Sequence, residues 1–492
     1  MKRHILLLSL AVPFALTANA QTTFTWTKGN PTGANLVSNP DLWTTSSNWS
    51  GNSVPSFGED NIVYYSIGSG SLFSGYNTSM NGDRTLGGII FGQSGVSYGA
   101  AARIYIDNTG TLTLQTSSDM PVIEVNSTTA DIFANITGNQ GLYKTGSGRL
   151  NLNTTAKTYT GTTHVNSGSL LAAAALASQD FVVDEDGELF FSGSFIQTVN
   201  SISSVGTIKV SSGATVNVDS SLDNTISGVI ANGSTAGHLR KSGTGRLTLE
   251  SSNTYTGTTG VYGGVLEVAS GASIARGATV YNGGTLQVDG EISQAGSYTT
   301  TIQSGGTLTG SGIIGGATTF QTGSIHSPGN SPGIQTFENN LTYQTGTVVV
   351  WELDDNTVDA LDRGINFDGI DVTGNLTFSG TTTINLSFNL TNSLVDWTNA
   401  LWGQSIEGAN GWKIYDVGGT LTGGSNVVLS AANTWLDSNG LALGSVRQDA
   451  NFYLTQVGSD LYLNYTAPTV VPEPTMALLS GISALGLLRR RR

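Results

Sequence analysis

An internal repeat constrains the fold of this chain more strongly than any other feature. One copy begins at Gly141 and ends at Leu170, and a second begins at His238 and ends at Val268. Both contain Lys-[Thr/Ser]-Gly-x-Gly-Arg-Leu-x-Leu, followed by Tyr-Thr-Gly-Thr-Thr and by Gly-x-Leu. A unit this short cannot bury an apolar face alone, whereas stacked units share one continuous core. The repeat therefore predicts a stacked architecture.

Each copy has the alternation of apolar and polar residues that is typical of half-buried β-strands. Leu247 and Leu249, for example, flank Thr248. Glycine-rich corners separate these runs, and no long segment outside the two termini has helical periodicity. We therefore predict an all-β fold, a right-handed parallel β-helix (β-solenoid), and keep an array of β-sandwiches as the alternative. The chain contains no cysteine, so burial and hydrogen bonds must stabilise it without disulfides.

The two termini predict export. Lys2 and Arg3 precede an apolar run over 5–16, and Ala18 and Ala20 form the A-x-A site at which we expect signal peptidase to cut. At the other end, an apolar run over 476–488 is shorter than the roughly 20 residues of a permanent span, so it predicts a short helix that tethers the chain transiently to the inner membrane. The residues that flank this run are Pro472, Glu473 and Pro474 before it and Arg489, Arg490, Arg491 and Arg492 after it.

The segment from Val471 to Arg492 resembles the PEP-CTERM sorting domain of Gram-negative bacteria. The resemblance implies that an exosortase-type membrane protease recognises Pro472, Glu473 and Pro474. It also implies a final location at the cell surface, in the outer envelope or in the extracellular matrix. The repeats resemble the autotransporter-associated β-strand repeat, over roughly residues 136 to 390, which implies a β-helical passenger-like region.

Tryptophans lie before and after the repeats but not within them, which predicts aromatic-rich capping regions. The predicted organisation is a signal peptide over 1–20, an N-terminal cap and first β-helix rungs over 21–135, a β-helix with the repeats over 136–345, a C-terminal β closing region over 346–466, and a sorting tail over 467–492.

These features favour a non-enzymatic, surface-displayed β-helix that acts as a structural or adhesive element of the envelope or of the exopolysaccharide matrix. Extracellular polysaccharide is the expected partner, and the net charge of −14 argues against nucleic acid. One alternative is a polysaccharide lyase or glycoside hydrolase on the same scaffold. A groove that clusters Asp with Lys or Arg would favour this enzyme, whereas smooth Thr and Asn ladders would favour the structural role. A third hypothesis is a glycan-binding module that grips its ligand through Trp397 and Trp412.

No residue is predicted to be catalytic, to bind a cofactor or to bind a metal. His164 and His238 align with glycines in the other copy of the repeat, which suits exposed turns. Two acidic clusters, over 184–188 and 354–371, are predicted to be solvated loops. Calcium binding by their carboxylates stays open as an alternative, although neither has the pattern of a calcium loop.

Several side chains occupy matching positions in the two copies. Lys144 and Lys241 match, as do Arg149 and Arg246. We interpret them as outward-facing charges that discourage edge-to-edge aggregation, with a basic ladder for acidic polysaccharide as the alternative. The matching rings of Tyr159 and Tyr255 are interpreted as turn-packing groups rather than as a platform for stacking sugars.

Overall fold

A computed structural model describes residues 22–27, 41–66, 76–96, 103–153, 157–293, 298–330 and 332–468. The predicted signal peptide with Ala18 and Ala20 lies outside the described residues, as do Pro472, Glu473, Pro474 and the four C-terminal arginines. The chain divides into two compact units, Met1–Arg240 with Thr254–Gly257, and Lys241–Asn253 with Thr258–Arg492.

The first unit is built of short strands separated by corners. Its strands are β1 (Thr23–Trp26), β2 (Asp41–Leu42), β3 (Gly58–Tyr65), β4 (Tyr76–Ser79), β5 (Arg84–Phe91), β6 (Arg103–Ile106), β7 (Thr111–Leu114), β8 (Val122–Val125), β9 (Thr129–Ile132), β10 (Asn135–Thr137), β11 (Leu142–Thr145), β12 (Arg149–Leu152), β13 (Thr162–Ala172), β14 (Asp180–Ser192), β15 (Ile196–Val199), β16 (Ser201–Ser204), β17 (Thr207–Ser211), β18 (Thr215–Asp219), β19 (Asn224–Ile226) and β20 (Ile230–Asn232). A 3-10 helix lies at Ser46–Asn48, and the division between the units falls within β21 (His238–Ser242).

The second unit continues the same pattern. Its strands are β22 (Arg246–Leu249), β23 (Ser252–Asn253), β24 (Thr259–Val261), β25 (Gly264–Val268), β26 (Ser273–Ile274), β27 (Ala278–Val280), β28 (Gly284–Val288), β29 (Glu291–Ile292), β30 (Thr300–Ile302), β31 (Thr307–Gly310), β32 (Ile313–Ile314), β33 (Thr318–Phe320), β34 (Ile325–Pro328), β35 (Ile334–Phe337), β36 (Leu341–Tyr343), β37 (Thr347–Glu352), β38 (Gly369–Val372), β39 (Leu376–Phe378), β40 (Thr382–Ser387), β41 (Trp412–Val417), β42 (Leu421–Thr422), β43 (Val427–Leu429), β44 (Asn451–Val457) and β45 (Asp460–Thr466). Its helical turns are α1 (Leu443–Val446) and 3-10 helices at Ala360–Asp362, Ala400–Gly403, Gly408–Asn410, Gly424–Asn426 and Ala432–Thr434.

Parallel pairing from one rung to the next organises both units. In the first unit one ladder runs β6–β9–β12–β13–β14–β17–β20, and another runs β3–β5–β8–β11–β13–β14–β16–β19. In the second unit three ladders run in parallel, beginning at β22, β23 and β24. Antiparallel pairing enters this unit where β45 pairs with β41 and β44. The predicted parallel β-solenoid is therefore confirmed, and stacked parallel rungs exclude the array of sandwiches.

The core of each unit is a column of aliphatic side chains contributed by successive rungs. Leu247, Leu266, Leu286 and Leu308 occupy the same inward position in register and are fully buried. Full burial of one leucine contributes about 1.5–3 kcal/mol. The alternation seen in the sequence thus becomes a division between an inward apolar column and outward polar rows.

Aromatic clusters are present in both units, as predicted. In the first unit Trp26 packs edge-to-face on Trp49, with 4.9 Å between ring centroids. In the second unit Trp397 packs on Trp402 at 4.8 Å, and Trp402 packs on Trp412 at 5.8 Å. All eight tryptophans are buried. Because Trp397 and Trp412 are fully buried, the hypothesis that they grip a glycan is wrong.

Candidate functional site

The matching lysines of the repeat lie inside the solenoid. Lys144 and Lys241 are both fully buried. The Nζ of Lys144 donates to the carbonyls of Thr145, Gly146 and Ser167 at 2.8–2.9 Å. The prediction of outward-facing lysine charge is therefore wrong, as is the alternative of a basic ladder that includes these lysines. The reason is the period of two: Lys144 lies two residues after the inward Leu142, so it shares the same face.

The second copy repeats this arrangement. The Nζ of Lys241 donates to the carbonyls of Ser242, Gly243 and Gly263 at 2.5, 3.1 and 3.3 Å. In both copies the ammonium thus donates to three carbonyls at a half-buried glycine corner. We call this arrangement the lysine clamp. Burial lowers the pKa of Lys144 to about 7, and the nearby Glu124 opposes that shift.

The outward positions of the first unit form two rows in register. The Arg row contains Arg103, Thr129, Arg149, Ser169, Glu188 and Thr207. The Asp row contains Tyr105, Asp131, Asn151, Leu171, Phe190 and Lys209. Adjacent members of a row lie on adjacent rungs, about 4.8 Å apart. Side chains that are distant in sequence therefore form one continuous surface.

A cleft of about 450 Å³ opens on these two rows. We call it the Arg–Asp cleft; its lining residues are Arg103, Thr129, Asp131, Arg149, Asn151, Asn153 and Leu171. The Arg103 Nε lies 3.1 Å from Asp131 Oδ2. The amides of Asn151 and Asn153 donate to Asp131 Oδ1 at 2.8 and 3.1 Å. The carboxylate, whose side chain is only 4% exposed, accepts both amide hydrogen bonds on Oδ1, whereas its Oδ2 contacts Arg103 as an ion pair and accepts no hydrogen bond among the described residues.

Arg149 forms no ion pair within the described residues, unlike Arg103 and Asp131. Its Nε donates to Asn151 Oδ1 at 2.7 Å, and its guanidinium carbon lies 5.6 Å from the centroid of the Phe190 ring. Within the described residues its two terminal nitrogens have no hydrogen-bond partner. With two guanidiniums and one carboxylate the cleft carries a net positive charge, which suits an anionic group.

The matching arginine of the second copy is differently placed. Arg246 Nη1 lies 2.8 Å from Glu267 Oε2 and 2.8 Å from Gln287 Oε1. Both copies therefore place this arginine outside, as predicted. In the second copy its charge is neutralised by a neighbouring rung.

A second concavity of the first unit, of about 370 Å³, has a mainly apolar lining that includes Ile62, Val122, Tyr143 and His164. The His164 ring packs edge-on against Tyr143 at 4.8 Å, and its Nε2 lies 2.9 Å from Asp184 Oδ2. His164 is half-buried within β13, so its assignment to an exposed turn is wrong. His238 is likewise half-buried, at the start of β21.

The acidic cluster over 184–188 lies in a strand rather than in a loop. β14 runs through it with a register shift opposite Val165 and Ser167. Asp184 Oδ2 lies 2.9 Å from His164 Nε2 and accepts a hydrogen bond from Asn166 Nδ2 at 2.7 Å. Glu188 pairs with Lys209 at 2.6 Å. The prediction of a solvated loop is therefore wrong here, because the alternating residues continue the sheet.

The cluster over 354–371 is dispersed. Asp359 is exposed and caps a 3-10 helix, whereas Asp368 is fully buried and accepts from the backbone N–H groups of Gly333 and Glu352. Burial raises the pKa of the Asp368 carboxyl well above its ordinary value. Asp371 pairs with Arg363 at 2.7 Å. Among the residues that the structure describes, no three His, Cys, Asp or Glu side chains gather as a metal site would require.

His326 is the buried histidine that the sequence left without a role. It takes the inward position that leucine holds on the preceding rungs. Its Nδ1 lies 2.7 Å from the hydroxyl of Tyr343, and its Nε2 lies 2.8 Å from Gln335 Oε1. Burial lowers the pKa of His326 to about 4, so the ring is neutral at pH 7. Both nitrogens have partners inside the core, which makes this a structural network rather than a site.

Tyr159 and Tyr255 are buried, in agreement with their interpretation as turn-packing rings. The Arg–Asp cleft was missed because its members are separated by tens of residues without a compact motif. One signal was present: Asp131 and Asn151 are 20 residues apart, which is the length of one rung in this region.

Within the described residues, the structure has no helix whose length and apolar character would let it cross a membrane. The predicted tether lies outside those residues.

Comparison with known proteins identifies the repeats. Residues 142–172 and 239–268 match the passenger-associated transport repeat. No curated protein matches the chain. The two matched segments contain the lysine clamps and the outward arginines. Together with the parallel solenoid, these repeats fit a passenger-like β-helix of a surface or exported protein.

Proposed function

We propose that this chain is a non-enzymatic, surface-displayed β-solenoid that acts as a structural or adhesive element by binding extracellular polysaccharide. The observation that carries the proposal is the pair of outward rows in the first unit. Each rung contributes one outward side chain to each row, and together these side chains present guanidinium, hydroxyl, amide, carboxylate and aromatic groups in register. Polysaccharides also present repeating polar groups, so a periodic surface can engage several sugar units at once.

The proposed route to the surface uses the two terminal segments. Signal peptidase would remove residues up to Ala20, and an exosortase-type protease would act at Pro472-Glu473-Pro474. Intact-mass analysis of the protein from cells and from medium tests this route. A mature chain that lacks the residues beyond Pro474 supports it, and a full-length C-terminus contradicts processing.

Binding is tested with the mature protein isolated from its own cells. It is incubated with extracellular polysaccharide of the producing organism, and co-sedimentation is measured for native and for denaturant-unfolded protein. The expected result is co-sedimentation of the native protein alone. Equal sedimentation of both forms, or of neither, contradicts the proposal.

A second candidate is a polysaccharide lyase, because the Arg–Asp cleft brings Asp131 together with Arg103 and Arg149. A lyase needs a group that can remove a proton from a sugar carbon. Asp131 is poorly placed for this role, since its side chain is only 4% exposed and Asn151 and Asn153 donate to its Oδ1. Incubation with acidic polysaccharides separates the two functions. Accumulation of unsaturated ends over time, lost in Asp131→Asn, would establish the lyase, and unchanged polymer supports binding alone.

A further inference from the structure

We infer that the Arg–Asp cleft binds a polysaccharide with acidic sugar units, whose chain lies along the stacking direction across β6, β9, β12 and β13. This inference rests on the proposed function and names the ligand class and the site. Three features of the cleft support it. The terminal nitrogens of Arg149 lack hydrogen-bond partners among the described residues, and Asp131 is neutralised by Arg103. The rungs also repeat at a regular spacing along the stack.

The uncommitted guanidinium belongs to Arg149. Arg149 lines the cleft, and its terminal nitrogens lack hydrogen-bond partners among the described residues. The contact between its Nε and Asn151 Oδ1, together with the Phe190 ring beside it, limits the orientations of the side chain. A planar guanidinium held in this way presents parallel N–H groups that match a carboxylate in a bidentate pair.

Asp131 leaves the cleft with a net positive charge, because it pairs with only one of the two guanidiniums. Its carboxylate neutralises Arg103 and orients the amides of Asn151 and Asn153. The charge that remains is that of Arg149, in the same outward row as Arg103 and two rungs away. Asp131 is therefore a positioning residue, and the anion contact falls to Arg149.

The direction of the bound chain follows from the register. Four rungs, from β6 to β13, extend the rows over three spacings of about 4.8 Å, or about 14 Å. Tyr105 stacks on Phe133 at 6.2 Å beside one part of the Asp row, and Phe190 lies further along the same row. Apolar faces of sugar rings can pack on such side chains while acidic substituents reach the guanidinium.

The test uses the full mature protein with three probes: polygalacturonate, its carboxyl-reduced neutral form, and dextran sulfate. The variants are Arg149→Ala, Arg149→Lys and the matched control Arg246→Ala. Arg246 occupies the same repeat position but is paired with Glu267. Affinity is measured by titration calorimetry, and unfolding midpoints verify that each variant is folded.

We expect polygalacturonate to bind and its reduced form to bind at least about tenfold more weakly, or about 1.4 kcal/mol. Arg149→Ala should lower affinity for polygalacturonate about tenfold, and Arg149→Lys should recover only part of it because an ammonium lacks the bidentate geometry. Arg246→Ala should bind as the wild type does.

Three results would overturn the inference. These are equal binding of the acidic and reduced polymers, equal losses in Arg149→Ala and Arg246→Ala, and binding to dextran sulfate alone. If the reduced polymer or the native polysaccharide still binds in these cases, the proposed function survives and only the ligand class fails. If no polysaccharide binds at all, the proposed function fails with it.

Discussion

The two copies of the repeat agree on the inside of the solenoid and differ on the outside. Lys144 and Lys241 clamp equivalent glycine corners. Outside, Arg149 lines an open cleft, whereas Arg246 is neutralised by Glu267 and Gln287. The shared residues encode a corner and an apolar column. The residues that differ determine what each rung can bind, so function is to be sought in the outward rows.

The largest expected effect concerns the shared lysine clamp. Lys144→Met and Lys241→Met should each lower the free energy of unfolding by about 3–5 kcal/mol. Either change removes three hydrogen bonds at a half-buried corner. A hydrogen bond to a charged group contributes about 1.5–3 kcal/mol, and the desolvation of the ammonium offsets part of this sum. Denaturant unfolding measures the loss, and hydrogen exchange should show it first in peptides of the affected corner.

The matched control is Lys209→Met in the first unit. Lys209 is exposed by about a third and pairs with Glu188, so its removal should cost less than about 1 kcal/mol. If the clamp variants were as mild as this control, the hydrogen bonds of the buried lysines would stabilise the fold no more than a surface ion pair does, which would contradict the clamp.

Substitution of a corner glycine should have the next largest effect on stability. Gly168 and Gly264 have φ values of +64° and +60°, and a Cβ at either would lie 2.4 or 2.3 Å from a backbone carbonyl oxygen of the preceding rung. Gly168→Ala and Gly264→Ala should therefore each lower the free energy of unfolding by about 2–3 kcal/mol. Thermal unfolding of both variants tests this. A loss in one copy alone would show that the corners are not equivalent.

Whether the sequence predicts a residue's position and role depends on whether its contacts lie within its own rung. The strands, the glycine corners and the inward leucines follow from local alternation, and they were predicted. The alternation that places Leu142 inside also places Lys144 inside. The sequence analysis predicted an outward position because a lysine is charged. The three carbonyls that offset burial of that charge come from two rungs, which the sequence does not juxtapose.

The Arg–Asp cleft was harder to predict for the same reason. Arg103 pairs in register with Thr129, 26 residues further on, whereas Thr129 pairs with Arg149 after 20 residues. Rung lengths therefore vary along the chain, and the register cannot be read from one constant period. Only the paired strands show which outward side chains are neighbours.

The free energy of unfolding should depend on pH through Lys144, the lysine of the first copy's clamp. Burial lowers the pKa of Lys144 to about 7, against about 10.4 for an unfolded lysine. Between these values the unfolded chain binds more protons, so the free energy of unfolding should rise with pH, by at most about 1.4 kcal/mol per pH unit. Lys157, whose pKa burial lowers to about 8, contributes in the same direction.

Urea unfolding at pH 7, 8, 9 and 10 measures this rise in wild type and in Lys144→Met. The variant should keep only the smaller part that Lys157 supplies, so the two stability curves should diverge as pH increases. Parallel curves would mean that the buried ammonium keeps an ordinary pKa, held there by its three carbonyl acceptors.

The smallest expected effect sharpens the contrast between the two arginines. Arg246→Ala should lower the free energy of unfolding by about 0.2–1 kcal/mol, because it removes a half-exposed ion pair with Glu267. Arg149→Ala should cost less, since its terminal nitrogens make no hydrogen bond among the described residues. In 1 M salt the Arg246 loss should shrink, as screening weakens the pair. A double-mutant cycle of Arg246→Ala with Glu267→Ala isolates the pair. A larger loss of stability for Arg149→Ala than for Arg246→Ala would mean that the Arg149 guanidinium stabilises the fold. This result would contradict its assignment as a group available to a ligand.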